Sequence, residues 1–279
     1  TRWLSDWSSD VCSSDLLTEP GWPEADATIQ REVRIRYIEN LYKLIDKLTN
    51  AFPDVWFETC SSGGGRVDIE ILKRTDFAWV SDNIDPVDRI FIQYGYLGAF
   101  PANTMISWTG YHDFNGVSPS LDFRFDVAMS GVLGIGNDIA KWEKEEIDIA
   151  KAKITLYKNI RETIHNGRLY RLSSPFESNR AILQFNSDDK NKSVIFCYKL
   201  EDHLKGSTSY PYQKKYFKLM GLIPDALYKI DDGNEIFKGS DLMNIGIKFP
   251  SMKSNNRNPY NTQYNRKSYS SQIITLEKI

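Results

Sequence analysis

The chain has 279 residues, with 35 Lys+Arg against 37 Asp+Glu and a formal net charge of -2, so it carries no basic footprint for nucleic acid. Hydrophobic residues at 41% and charged residues at 26% are globular proportions that exclude disorder and collagen-like sequence. No apolar stretch approaches the ~18 residues that a membrane-crossing helix needs, and the front of the chain lacks the basic-then-apolar pattern of a signal peptide.

The three cysteines, Cys12, Cys60 and Cys197, are too scattered for a disulfide framework or a four-thiolate zinc site. A reducing, cytoplasmic setting is the expectation, with secretion the alternative if the true start of the protein lies further upstream. Aromatic residues stand at 13%, a content that would suit a sugar-binding protein as well as an ordinary core.

Residues 1–16 repeat Ser and Asp without helix or strand periodicity. They read as translated sequencing-adapter bases or as a polar tail, and either way stand outside fold reasoning. From Leu17 the chain turns globular. Ile29 to Asn50 place Val33, Tyr37, Ile38, Leu41, Leu44, Ile45 and Leu48 at steps of three and four, which predicts an amphipathic helix closed by Pro53. Val55, Trp56 and Phe57 then predict a buried strand leading to Glu58, Thr59 and Cys60, with a glycine loop directly after. Phe77 to Val80 predict a second strand ending at Ser81 and Asp82. Pro86 predicts the first turn of a helix over Val87 to Leu97, and Thr104 to Trp108 a third strand. Asp122 to Leu133 and Glu145 to Ile164 predict two further helices.

Strands alternating with helices imply parallel strands joined by crossovers, the pattern of a barrel or an open doubly wound sheet, and a barrel is favoured. Only three or four strand-helix units fit between Leu17 and Tyr170, so the chain reads as the C-terminal half of a (β/α)8 barrel, residues 17–172. Beyond Ser173 the texture changes to short strands at Ala181–Phe185, Val194–Leu200, Ala226–Ile230 and Ile273–Leu276, and Asp232-Gly233 predicts a hairpin turn. These features predict an antiparallel β-sandwich over residues 173–279. The Asn- and Tyr-rich stretch Ser254–Ser271 reads as a long connection.

The tract Cys60–Arg66, CSSGGGR, lets backbone N–H groups approach a ligand, and a plain turn is an equal reading of the glycines alone. It is neither a P-loop nor a dinucleotide fingerprint. Asp82 lies at a predicted strand end, where barrels present catalytic groups, although strand-end aspartates are more often structural. Asp85 fits a helix cap, and Asp88 falls by the same helix start. His112, His165 and His203 show no metal spacing, and His165 is expected to meet the last carbonyls of its helix. No GxSxG elbow supports acyl transfer.

Taken together, LTEPGWPEA (17–25), FPDVWFETCSSGGGRVD (52–68) and WVSDNIDPVDRIFIQYG (79–95) resemble glycoside hydrolase family 36, the bacterial α-galactosidases. LDFRFDVAMSGVLGIGND (121–138) and LMGLIPDALYKI (219–230) extend the likeness over nearly all of the chain after Leu16. The resemblance implies retaining hydrolysis of terminal α-linked galactose, as in raffinose or melibiose, on a (β/α)8 barrel followed by an antiparallel β-domain. It implies no cofactor, no metal, no nucleic acid and no membrane partner, and it admits a homo-oligomer of the full-length enzyme. The family's general acid/base, the aspartate after the serine of its Trp-x-Ser-Asp tract, corresponds to Asp82. Cys60, Gly63 and Gly64 match the loop that lines its galactose pocket. The family's nucleophile precedes a Thr-Glu-Pro-Gly segment that begins here at Thr18, so the resemblance implies a nucleophile upstream of this sequence and an inactive fragment. An α-N-acetylgalactosaminidase, a raffinose-type galactosyl transferase and a non-catalytic galactoside-binding protein are the alternatives, with a structural α/β protein as a further one.

Overall fold

The computed structural model of the chain describes residues 20–110, 119–200, 216–231, 233, 235–250 and 269–279. The 1–16 tract, Thr18, His112, His203, Asp232 and most of the 254–271 stretch therefore lie outside the described residues. The chain divides into two compact units, Thr1–Asn83 with Thr104–Ile106, and Ile84–Asn103 with Ser107–Ile279. No helix among the described residues is long and apolar enough to cross a membrane.

In the first unit, helix α1 (Ala27–Ala51) starts where the Asp26 carboxylate accepts from the N–H groups of Thr28 and Ile29, satisfying donors that a helix leaves open. It ends before Pro53, as its sequence predicts. Strand β1 is only Glu58–Thr59, so the apolar run ahead of it is not the buried strand that its composition predicts. Trp56 is 69% exposed and instead sets its ring edge-on against Phe77, 5.5 Å between centroids. Sheet pairing begins one step later, at Glu58 opposite Phe77. A single turn of helix, α2 (Ile69–Leu72), is capped by Asp68. Strand β2 (Phe77–Trp79) runs parallel to β1 and to the first residues of β3 (Met105–Trp108), in the order β1-β2-β3.

In the second unit, helix α3 (Pro86–Tyr96) has Pro86 in its first turn and Asp85 as its cap, accepting from Val87 and Asp88 N–H at 2.9 and 3.2 Å. The end of β3 lies beside β4 (Val132–Gly134), with Thr109 N–H donating to the Gly134 carbonyl at 3.0 Å. The helix expected over 122–133 is shorter. Helix α4 (Leu121–Ala128) stops at Met129, and the chain turns through Ser130 and Gly131 into β4. Phe125, Met129 and Leu133 keep helical spacing, but Gly131 ends the helix and β-branched Val132 favours the strand. Helix α5 (Lys144–Asn166) follows and agrees with its expected span.

The six-stranded antiparallel sheet has the order β10-β9-β12-β7-β6-β5, from β5 (Arg168–Ser173), β6 (Arg180–Asn186), β7 (Lys192–Lys199), β9 (Leu227–Ile230), β10 (Ile236–Lys238) and β12 (Ser270–Lys278). Its first strand thus begins before residue 173. The β9–β10 pair closes the hairpin that the Asp-Gly dipeptide predicts, with Gly233 N–H donating to the Ile230 carbonyl. A two-stranded sheet of β8 (Tyr216–Phe217) and β11 (Ile247–Lys248), with the short helix α6 (Gly239–Asn244), covers one face. Ile182, Ile195, Cys197, Ile274 and Leu276 of the large sheet meet Phe217, Leu242, Ile247 and Phe249 there, which makes a sandwich of unequal layers. The residues between them, Leu183, Phe185, Val194 and Phe196, point the other way and are also buried, with α5 packed against β6 and β7.

A buried ion cluster ties α4, α5 and β12 together. Asp126, 2% exposed, accepts from Lys153 Nζ at 2.6 Å and from the Ser271 hydroxyl at 2.7 Å, and Lys153 also reaches Asp122 at 2.9 Å. Burial works against the charge on Lys153, but Asp126 and Asp122 outweigh it and hold the ammonium above the ordinary lysine range.

Candidate active site

The site residues expected in the first unit come together where β1 and β2 end. After Thr59 the chain makes a compact turn. Ser61 N–H donates to the Gly63 carbonyl, Gly65 N–H to the Ser61 carbonyl and Val67 N–H to the Gly64 carbonyl. Arg66 reaches back so that its guanidinium donates to the Cys60 carbonyl at 3.1 Å. Ser62 and Gly63 take positive φ, 44° and 74°, a conformation that costs a side-chain-bearing residue strain and glycine little. The tract is thus an ordered loop, which goes beyond the plain turn that three glycines allow.

The glycines are needed for proximity as well as for conformation. A Cβ on Gly63 would stand 2.8 Å from Ser81 Cα and 3.0 Å from Asp82 N, and one on Gly64 would stand 2.8 Å from the Val80 carbonyl oxygen. Such distances are closer than carbon atoms tolerate, so the loop can rest against the Val80–Asp82 backbone only because both positions lack side chains. Gly63 and Gly64 therefore abut the segment bearing Asp82, and half-buried Cys60 opens the same loop.

Asp82 is exposed. Its Oδ1 accepts a hydrogen bond from the indole N–H of Trp79 at 2.8 Å, and Trp79 is itself 8% exposed. The Ser81 hydroxyl accepts from Asn83 N–H at 3.1 Å, holding the turn that leaves the strand. Glu58, at the surface of β1, is held above the ordinary carboxylate range because the chain around it strips water from its carboxyl.

Other candidates resolve into structural parts of the second unit. Asp85 caps α3, as its spacing predicts, and Asp88 lies in that helix's first turn. His165 does not meet the last carbonyls of α5. Its Nε2 contacts the Tyr157 hydroxyl at 2.9 Å and lies 3.4 Å from the Gly131 carbonyl, because the ring folds toward the turn after α4, and burial lowers its pKa from the ordinary histidine value. Arg89, 1% exposed, donates through Nε to Gln93, and burial lowers its pKa to about 10. Among the described residues no group of three or more His, Cys, Asp or Glu could hold a metal ion. Two features escaped the sequence reading, Trp79 as the partner of Asp82 and Arg66 as the fastener of the loop. Neither is signalled by the sequence, since spacing alone does not say which way an indole or a guanidinium turns.

Residues 10–167 match the family model described as Melibiase, and residues 180–276 match that of the glycosyl hydrolase family 36 C-terminal domain. The chain is 35% identical over 237 residues to alpha-galactosidase AgaA of Geobacillus stearothermophilus, covering 84% of this chain and 31% of that protein. It is also 35% identical over 284 residues to the probable alpha-galactosidase G of Aspergillus terreus, covering 99% of this chain and 36% of that protein, so the likeness extends to fungal proteins. The crystal structure of a variant of AgaA from G. stearothermophilus in complex with raffinose superposes with a TM-score of 0.80 at 31% identity, over 93% of this chain and 34% of that one. The chain spans about a third of the length of these relatives. With the fold and two successive family matches in agreement, the chain belongs to glycoside hydrolase family 36.

Proposed function

We propose that this chain carries the acid/base side of an active site that releases terminal α-linked galactose from raffinose- or melibiose-type oligosaccharides with retention of configuration. The observation that carries the reading is the exposed Asp82 carboxyl at the end of β2, braced by Gly63 and held through one oxygen by Trp79. Complexes of related enzymes with raffinose and stachyose support the substrate class. In this reading the parallel strands and helices through α5 belong to the barrel, and the antiparallel sheet that begins with β5 at Arg168 belongs to its β-domain.

The bond from galactose C1 to its leaving oxygen breaks through an oxocarbenium-like state that needs negative charge on one face and a proton on the other. Asp82 starts protonated and gives its proton to the departing oxygen while a second carboxylate attacks C1. That second group is supplied by residues outside this sequence, about 5 to 5.5 Å away as retaining enzymes require. In the second step ionised Asp82 takes a proton from water as the water oxygen attacks C1, releasing galactose and regenerating both groups. Cys60, Gly63 and Gly64 line the galactose pocket, and no cofactor enters either step.

The test is Asp82→Ala in the protein restored to full length. Natural oligosaccharides, whose leaving oxygens need a proton, are expected to lose roughly 10²- to 10⁴-fold in rate, while aryl galactosides with acidic leaving groups lose far less in the first step. Equal losses for the two substrate types contradict the acid role.

A further inference from the structure

We infer that Trp79 is the positioning residue of the acid/base carboxyl, assigning Oδ2 of Asp82 as the oxygen that carries the catalytic proton. The inference rests on the proposed role of Asp82 and adds which of its two oxygens acts and what makes the choice.

An indole N–H can only donate. In a protonated carboxyl the carbonyl-like oxygen is the stronger acceptor, so the 2.8 Å bond from Trp79 Nε1 selects Oδ1 for that part and leaves the hydroxyl to Oδ2. The indole is well suited to this task. It is rigid, with two side-chain torsions, and it is almost wholly buried in the last residue of β2, so the donor cannot follow the carboxyl if the carboxyl rotates. On the other side, Gly63 rests against Ser81 Cα and Asp82 N, which fixes the backbone from which the carboxyl projects. Side chain and main chain are thus held from two directions, and Oδ2 of the exposed Asp82 is the oxygen that the indole does not hold.

The same bond stabilises the charged form. When the proton leaves Oδ2 for the glycosidic oxygen, the indole donor remains on the new carboxylate and partly offsets its charge. Loss of the bond lets the carboxyl rotate between orientations, which slows proton delivery without touching the galactose contacts.

Two measurements test this. In the chain itself, the indole ¹H–¹⁵N resonance of Trp79, identified by its loss in Trp79→Phe, should move with pH as Asp82 ionises and become pH-independent in Asp82→Asn. A Trp79 resonance that does not titrate in the unaltered chain overturns the inference. In the full-length enzyme, Trp79→Phe should lower kcat on raffinose about tenfold with KM nearly unchanged. Activated aryl galactosides should lose less than threefold. A merely structural tryptophan would lower thermal stability and reduce turnover of raffinose and aryl galactosides alike, and that outcome also overturns the inference. The two readings fail separately. A titrating indole in a full-length protein that hydrolyses no galactoside would remove the hydrolase reading, whereas an active enzyme with a silent indole and equal losses on both substrate types would remove only the positioning role.

Discussion

Around the candidate site, regular strand is scarce: β1 has two residues and β2 three, and α1 buries only Val33 among its residues. In the antiparallel sheet, β6 and β7 run seven and eight residues, and nearly every one is buried. The sheet satisfies its polar interior internally: Gln184 and Asn186 amides both donate to the Met220 carbonyl, Met220 N–H donates back to Gln184, and Ser193 donates to Asn186. Buried polar groups that lack partners cost free energy, so this closure lets the region stand on its own contacts. The strand-end region places its organisation elsewhere, in close backbone approach and in one indole donor. Burial of side chains holds up the sheet, while the absence of side chains at two glycines builds the site.

That contrast can be broken first at the site. Asp82→Asn in the full-length protein is expected to abolish most turnover of natural oligosaccharides while leaving thermal unfolding of the sheet unchanged, as followed by calorimetry alongside initial rates. A large drop in stability would show that Asp82 is a structural aspartate.

The next largest effect should come from the sheet's own anchor. Asp126→Asn leaves Lys153 with the Asp122 contact alone in a buried setting, and removing one member of a buried pair costs about 3 kcal/mol. Denaturant unfolding should show that loss. A change under about 0.5 kcal/mol would mean that the cluster is dispensable.

Gly63→Ala should bring both regions' logic into collision. The added methyl group meets Ser81 and Asp82 backbone while φ stays positive, a strain of about 1 to 3 kcal/mol. The expected result is a displaced Asp82, seen as a rate loss larger than the loss of stability predicts. Gly21→Ala, where a Cβ meets nothing, is the control.

The smallest effect concerns pH. Burial, the main influence, lowers the pKa of His165 below its unfolded value, so between the folded and unfolded values the unfolded chain binds more protons. The contribution of neutral His165 is fully present above the unfolded value of about 6.5 and falls away as pH drops toward the folded value. His165→Gln should flatten that part of the stability profile. An unchanged slope would show that another group causes it.

Legibility in the sequence followed the same division. Periodicity and turn chemistry located α1, α3, α5, β6, β7, β9 and the 230–235 hairpin, because long amphipathic or alternating runs carry their own pattern. The strand before the glycine loop was displaced, since Val55 and Trp56 are apolar yet exposed, and apolar composition says nothing about which residues find a strand partner. The helix over 122–133 was overextended because the spacing of Phe125, Met129 and Leu133 continues across a glycine. At the site, the resemblance pointed to Asp82, Cys60, Gly63 and Gly64, but the Trp79 bond needed coordinates, because a three-residue spacing across a strand end gives no direction to a side chain.

The most direct test of the account is azide rescue of Asp82→Ala in the full-length protein, with an activated aryl α-galactoside as substrate. If Asp82 is the acid/base of a double displacement, azide needs no general base and should restore turnover, giving α-galactosyl azide. Formation of the β-azide would identify Asp82 as the nucleophile instead, and no rescue at all would contradict an acid/base role.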